Sequence, residues 1–349
     1  HSVWEALVQG WVKYLDRTYF ELHVFHVGRI EDAQTDYARA HADGFTTLEG
    51  DEQVAATVLA QQKMDVLIYP DLGISARSYR LACLQLAPTQ LTSWGHPETS
   101  GLRHLNGFLS ADALEPADAQ AHYIEPLIRL PHLGCCLDPV LNAEIEPLDR
   151  ERLGLNASGP LLICGGTPFK YRPEFDAAAV QLAQRLPQAQ FVLFEYAANP
   201  WYANAFKRRL EQGFAQAGLS PQTHLRWIPW LSGPQFLGLM QGADLFLDSM
   251  GFSGFNTAVQ ALSVQLPIVT LEGEFLRGRL ASGVLRHLGL DEGVASDASS
   301  YVEIASQLVN DSARRDQYRS RIQAQSPKLF ADQAPIRALE GFLQQRVLG

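Results

Sequence analysis

The chain is short of cysteine, of long apolar runs and of basic residues, and each shortage closes off a class of protein. Its four cysteines, Cys83, Cys135, Cys136 and Cys164, are scattered through 349 residues. None has zinc-ligand spacing, and the adjacent Cys135-Cys136 pair is badly placed for a disulfide. Reduced thiols in a cytoplasmic protein are the expectation. No apolar stretch approaches the roughly 20 residues of a bilayer span, so no membrane crossing is expected. Lys and Arg number 28 against 38 Asp and Glu, a net charge of −10. A nucleic-acid partner needs a basic face and is not expected. No cluster of His, Cys, Asp or Glu has the spacing of a metal site, so neither a metal nor another cofactor is expected. The opening HSVWEALVQGW lacks the basic and apolar regions of a secretory signal, and it lacks Met. A trimmed piece of something longer is the expectation.

What the chain does have is a well-cored composition, 46% hydrophobic and 19% charged, and enough length for two α/β domains. Val3, Leu7, Trp11 and Leu15 make a helical stripe over 2–15. Residues 20–27 alternate like a strand, and 31–62 is a polar stretch with helical segments. Strands at 65–69, 90–94, 107–109 and 127–130 follow, with a helix over 77–85. Residues 131–158, with Pro131, Pro139 and Pro147 and little periodicity, read as a linker. The pattern then restarts, with strands at 160–164, 190–195, 224–228, 243–247 and 267–271. Helices between them fall at about 174–186, 200–217, 233–241 and 256–264. Four more, at about 276–288, 298–309, 311–323 and 334–346, end the chain. Alternating strands and helices argue parallel, helix-covered sheets, and the second half reads as a complete doubly wound domain.

The stretch 243–273 organises the rest. The apolar run Ala243–Leu247 ends at Asp248, a loop carries Gly251 and Gly254, and Asn256-Thr257 opens a helical spacing of Val259, Leu262 and Leu266. Pro267-Ile268-Val269-Thr270 resumes a strand. A strand–glycine–helix turn presents backbone N–H groups and the positive end of a helix dipole, which suit a phosphate. Many such turns bind nothing, and the strict dinucleotide fingerprint is absent here.

Three other strand ends carry candidate chemistry. After 160–164 comes Gly165-Gly166-Thr167-Pro168-Phe169-Lys170. Lys170, just past a strand end, suits neutralisation of a leaving diphosphate, though a solvated loop lysine is the commoner case. After 224–228 comes Pro229-Trp230-Leu231-Ser232-Gly233-Pro234-Gln235-Phe236. Trp230 and Phe236 there either stack on a flat base or fill core. After 90–94 comes Gly95-His96-Pro97-Glu98-Thr99-Ser100-Gly101. His96 either moves a proton or caps the turn. His1 alone reads as a frayed end or a tag remnant.

Together these stretches resemble glycosyltransferase family 41, which contains the O-GlcNAc transferases, their bacterial relatives and the bacterial cytoplasmic N-glucosyltransferases. Gly95–Gly101 is similar to the family's Gly-Tyr/His-Pro-x-Thr-Ser-Gly loop, Leu247-Asp248 through Thr257 to its nucleotide loop, and Phe169-Lys170 to its aromatic–lysine pair. The resemblance implies the α/β GT-B fold, two Rossmann-like doubly wound domains facing a cleft. It implies an acceptor-side domain over 1–145, a UDP-sugar-binding domain over 146–333 and a C-terminal helix over 334–349. The implied reaction is an inverting, metal-independent transfer of a hexose, GlcNAc or glucose, from a UDP-sugar to Ser/Thr or Asn of an acceptor protein.

Position by position, Thr167 and Lys170 match donor-phosphate residues, and Trp230-Leu231 the uracil-reading segment. Phe236 matches a ring that stacks on uracil, and Gly95 a position close to the donor sugar. Phe252, Gly254, Phe255, Asn256 and Thr257 match the loop between sugar and diphosphate. His1 matches a first-domain histidine proposed as a base. Gln260 stands where the family has an aspartate on the ribose hydroxyls, and Phe255 and Phe169 replace a polar residue and a tyrosine. The tetratricopeptide repeats that many relatives carry upstream are not found, and a missing helical or repeat domain is expected to hold part of the acceptor surface.

Two further functions fit some of the same residues. One is a nucleotide-sugar-binding module without catalysis, suggested by Gln260 and Phe255. The other is a nicotinamide-dependent oxidoreductase, with Glu272 or Glu274 as the ribose-binding acid.

Overall fold

A computed structural model describes residues 3–28, 30–139 and 145–348. The chain forms two compact units, one made of His1–Asp138 with Phe330–Gly349, the other of Pro139–Leu329.

In the first unit a wide helical turn, Trp4–Val8, leads into α1 (Gln9–Tyr14), and the expected stripe is largely buried at Leu7, Trp11 and Leu15. Then come β1 (His23–His26), α2 (Ala33–His41), β2 (Gly44–Thr47), α3 (Glu52–Gln62), β3 (Val66–Tyr69), α4 (Ala76–Ala82), β4 (Thr89–Ser93), β5 (Gly107–Ala111) and β6 (Leu127–Leu130). Side chains fix the helix starts: Asp32 accepts the Gln34 and Thr35 amides, Asp51 the Val54 amide and Ser75 the Ser78 amide. Strands β3, β4, β5 and β6 pair in that order, all parallel. β4 and β5 are buried along their whole length, as strands covered on both faces must be.

One element corrects the sequence reading. The stretch 31–62 is not helix alone: β2 interrupts it and pairs in parallel with β1 as a separate two-stranded ladder. Gly44-Phe45-Thr46-Thr47 is half-buried and has one large apolar side chain, so its alternation is too faint to read locally.

The second unit runs β7 (Leu161–Ile163), α5 (Pro173–Arg185), β8 (Gln190–Phe194), α6 (Pro200–Gln216), α7 (Pro221–His224), β9 (Leu225–Ile228), α8 (Gly233–Gln241), β10 (Leu245–Leu247), α9 (Asn256–Ser263), β11 (Ile268–Leu271), α10 (Leu280–His287), β12 (Val294–Ala295), α11 (Ala298–Asn310) and α12 (Ser312–Gln325). α5, α6 and α7 each begin on a proline, whose missing N–H is no loss there. Ser232 with Gln235, and Asp297 with Ser300, close capping boxes on α8 and α11. The expected helix over 276–288 is broken near its start. Gly273 N–H donates to the Gly278 carbonyl at 2.9 Å, and these two glycine backbones touch, so a tight turn at Leu276–Gly278 precedes α10.

The six strands pair in the order β12-β11-β10-β7-β8-β9, all parallel. From β7 the chain steps outward to β8 and β9, then crosses back to β10 on the other side of β7. That reversal is the doubly wound signature, and the crevice at the carboxyl ends of β7 and β10 is where such sheets hold ligands.

After α12 the chain returns to the first unit as α13 (Ala334–Leu348). Glu340 accepts the Asp16 amide at 2.8 Å, and Arg337 donates to the Tyr14 carbonyl at 2.6 Å. The boundary near the linker falls at Asp138–Pro139, a few residues before the expected 145–146, and the last helix packs with the first unit.

Candidate functional site

Both loops at the β7–β10 reversal are built around glycine. A Cβ on Gly165 would meet the Phe246 ring at 2.8 Å and Phe236 at 3.3 Å. Gly166 lies over Tyr171, whose hydroxyl accepts its N–H at 2.8 Å. Tyr171 is in turn stacked on Phe206 with centroids 4.6 Å apart. The backbone of 165–166 is therefore laid on an aromatic floor, with no side chain of its own to block an approaching ligand. The Thr167 hydroxyl oxygen is buried and has no hydrogen-bond partner, the state of a group that awaits one.

Pro168–Lys170 forms one tight turn that carries the Lys170 side chain across to the second loop. Its amine lies 3.4 Å from the Ser253 carbonyl and 4.8 Å from the centre of the Phe252 ring. Burial lowers the lysine pKa, and the Asp248 charge opposes that shift.

The second loop is pinned from beneath. Asp248 is 2% exposed. It accepts the Ser253 hydroxyl at 2.6 Å, the Gly254 N–H at 2.9 Å and the Thr270 hydroxyl at 2.7 Å. The Tyr301 hydroxyl donates to its backbone carbonyl at 2.9 Å. Gly251 takes φ +82°, a left-handed turn suited to glycine. A Cβ on Gly254 would stand 2.2 Å from the Thr257 hydroxyl oxygen, so the absence of a side chain lets that hydroxyl fold back over the loop. α9 starts at Asn256 with no side-chain cap, since the residue before it is Phe255. The Phe255 ring is buried, so toward a ligand this residue offers backbone. Gln260 is one turn along α9 from Asn256, on the same face.

Trp230 and Phe236 are not equivalent. Trp230 is 62% exposed and meets Phe194 edge-on at 5.9 Å and Tyr196 at a tilt at 6.2 Å. Phe236, in the first turn of α8, touches Phe194 at 5.5 Å and reaches the Gly165 position. Trp230 is thus a surface ring beside the site, with Leu231 following it, and Phe236 lies against the first loop. The structure brings Thr167, Lys170, Phe236, Phe252, Gly254, Asn256 and Thr257 to one end of one sheet.

Gly95 and His96 belong to the first unit, on the loop after β4. Gly95 donates to the Pro70 carbonyl at 3.0 Å, and a Cβ there would be 2.4 Å from that oxygen. The His96 ring is packed over Gly73 and lies 3.9 Å from Glu98. The loop is held by Glu125, a fully buried carboxylate that accepts the Thr99 hydroxyl at 2.7 Å, the Ser100 amide at 2.8 Å and the Ser100 hydroxyl. Sequence reasoning missed Glu125, because its partners are 25 residues away. His1 lies outside the described residues.

Of the two acids considered for a nicotinamide site, Glu274 is exposed and Glu272 is already engaged. Glu272 is bound by Arg286 at 2.9 and 3.0 Å and by Arg279 at 3.0 Å, so a ribose would compete with two arginines for its oxygens. Among the described residues, no group of three or more His, Cys, Asp or Glu is placed to hold a metal ion, and no helix is long and apolar enough to cross a membrane.

Residues 236–334, which include α9 and the Asp248 loop, match the sequence model of glycosyl transferase family 41. The family 41 resemblance extends beyond these residues: 272 residues, 75% of the chain, are 24% identical to the tomato (Solanum lycopersicum) protein named "Probable UDP-N-acetylglucosamine--peptide N-acetylglucosaminyltransferase SPINDLY". The chain spans about a quarter of that relative, 27% of its length. A mutant O-GlcNAc transferase of Thermobaculum terrenum superposes on 99% of this chain and 65% of its own, with a TM-score of 0.84 at 22% identity. HepE of Anabaena, solved with UDP and glucose, covers 93% of this chain and 90% of its own, with a TM-score of 0.60 at 14% identity. These likenesses are to GT-B structures, the fold expected from the family 41 motifs.

Proposed function

We propose that this chain is the catalytic part of an inverting, metal-independent glycosyltransferase that moves a hexose from a UDP-sugar to a protein side chain. The observation that carries the proposal is the meeting of the Lys170 amine with the loop that opens α9, at the reversal point of the second sheet. The relatives' printed names support a UDP-sugar donor and a peptide acceptor, and UDP-GlcNAc is the first donor to test, with UDP-glucose second.

The chemistry follows from the charges. An acceptor hydroxyl or amide attacks the anomeric carbon. The bond from that carbon to the β-phosphate oxygen breaks, and its electron pair leaves with UDP. The diphosphate gains negative charge as the sugar departs, and without a metal that charge must be met by protein. Lys170, the Thr167 and Thr257 hydroxyls and the amides at the start of α9 are the groups proposed to meet it. Phe236 stacks on the uracil and the backbone of Trp230-Leu231 reads its edge. By the family resemblance, Gly95 is assigned to the surroundings of the sugar and His96 or His1 to the acceptor's proton. A further helical or repeat domain would supply the rest of the acceptor surface.

The test is mass spectrometry of candidate acceptor peptides incubated with a panel of UDP-sugars. A mass increment of one hexose or N-acetylhexosamine supports the proposal, and no UDP release from any donor overturns it. UDP binding without transfer or donor hydrolysis selects the binding-module reading instead, for which Gln260 is the motive.

That glutamine gives its own prediction. A carboxylate accepts ribose hydroxyls more strongly than an amide does, and it is favoured near a helix N-terminus. Gln260→Asp is expected to tighten UDP binding about tenfold, near 1.4 kcal/mol, measured by calorimetric titration.

A pH prediction follows from Lys170. Burial holds its pKa below the ordinary lysine value. The positive charge is present below that pKa and is lost as pH rises through it. kcat/KM, which reports the free enzyme, should therefore show an alkaline limb below the usual lysine range. Lys170→Arg, which keeps its charge at every accessible pH, should remove the limb even where it lowers the rate.

A further inference from the structure

We propose that Asp248 is the positioning residue of this site: its buried carboxylate sets the 251–257 loop and faces the Lys170 charge, so that the first amides of α9 and the lysine address one diphosphate. The inference rests on the UDP-sugar reading above and adds a residue that does not itself touch the donor.

The geometry separates Asp248 from an ordinary strand-end aspartate. One oxygen takes the Ser253 and Thr270 hydroxyls and the other takes the Gly254 N–H. These donors come from three places: the loop, its last residues before α9, and the neighbouring strand β11. Ser253 is held again from the far side, where its hydroxyl accepts the Ala281 amide at 2.8 Å and its own amide donates to the Arg277 carbonyl at 2.7 Å. The carbonyl of the same residue carries the Lys170 amine. One carboxylate thus fixes both the residue on which the lysine rests and the glycine two residues before α9. A buried carboxylate carries a desolvation cost that hydrogen bonds only partly offset. A neutral acceptor could satisfy the Gly254 amide without that cost. Burial lowers the Lys170 pKa and raises that of Asp248, and the attraction between the two charges opposes both shifts.

Lys170 is the group facing Asp248 whose pKa burial lowers. Tyr171, Tyr301 and the Cys164 thiol are fully buried and pushed to higher pKa, so they stay neutral. Arg172 lies over Gly251, and the Arg277 carbonyl accepts the Ser253 amide.

Three variants in the full chain test the inference, read by UDP titration and by the pH profile of kcat/KM. Asp248→Asn keeps the shape and, with the two hydroxyls reoriented, most of the hydrogen bonds, but removes the charge. Its alkaline limb should move to lower pH by about half a unit or more. Ser253→Ala and Thr270→Val keep the charge and each remove one pin. They should raise the UDP dissociation constant by about threefold to tenfold and leave the limb in place. If wild type binds no UDP, the UDP-sugar reading itself fails. If wild type binds UDP while Asp248→Asn alters neither affinity nor limb, the reading stands and the role of Asp248 is overturned. If Asp248→Asn does not fold, the hydroxyl variants decide: an unchanged UDP affinity in both overturns the proposal, and a weakened one with normal melting supports it.

Discussion

Lys170→Ala is expected to lower sugar transfer by about 10²- to 10³-fold while the second unit stays folded. The magnitude is that of losing one preorganised group that stabilises developing negative charge. The fold should survive because the amine makes one long contact, 3.4 Å to the Ser253 carbonyl, and otherwise rests on the Phe252 ring. Removing it breaks no short hydrogen bond, and Asp248, which loses the facing charge, keeps its hydrogen bonds from Ser253, Gly254 and Thr270. The melting temperature should therefore change little. The effect should also divide unevenly between binding and turnover. Charge on the diphosphate grows as the sugar leaves, so kcat should fall more than KM rises. Steady-state transfer assays with melting curves check both halves. Turnover equal to wild type refutes the assigned role.

Phe246→Ala carries the largest expected cost in stability, about 3–5 kcal/mol for truncating a fully buried phenylalanine. Phe246 is 1% exposed in β10, between β7 and β11, opposite Ile163 and Ile268. Its ring edge lies under Gly165, where a Cβ would be 2.8 Å away. The void would thus open directly beneath the first loop of the candidate site, and UDP affinity should fall along with stability. Saturating UDP should return part of the loss, about 2.7 kcal/mol at a hundred times its dissociation constant, because it binds the folded chain. Calorimetry with and without UDP measures both. A melt within 0.5 kcal/mol of wild type would show that the sheet relaxes to fill the space.

The two loops of the site were legible because their signals are local. Residues 161–164 and 245–247 are short apolar runs, each ended by Gly or Asp and followed by a helical spacing. Such runs are strands in any α/β chain, and the residues just past them lie at carboxyl ends. Lys170 and Asn256 could therefore be assigned to the ends of their strands before any coordinates. β2 was not legible, since Gly44–Thr47 is short and half-buried and offers a single large apolar residue. Trp230 and Phe236 were ambiguous for a related reason. An aromatic residue reads the same whether it stands 62% exposed, as Trp230 does, or leans on a loop as Phe236 does.

The sequence by itself determined the alternation of strands and helices, the glycines of the two loops and the family likeness, because each depends on neighbours within a few residues. Only the tertiary structure decided that β7 lies beside β10, and so that Lys170 reaches the Ser253 carbonyl 83 residues away. It also decided that Asp248 gathers donors from the next strand, 22 residues on, and from Tyr301, 53 residues on. Strand order is set by hydrogen bonds and packing between segments distant in the chain, and no local pattern of residues encodes which strands become neighbours.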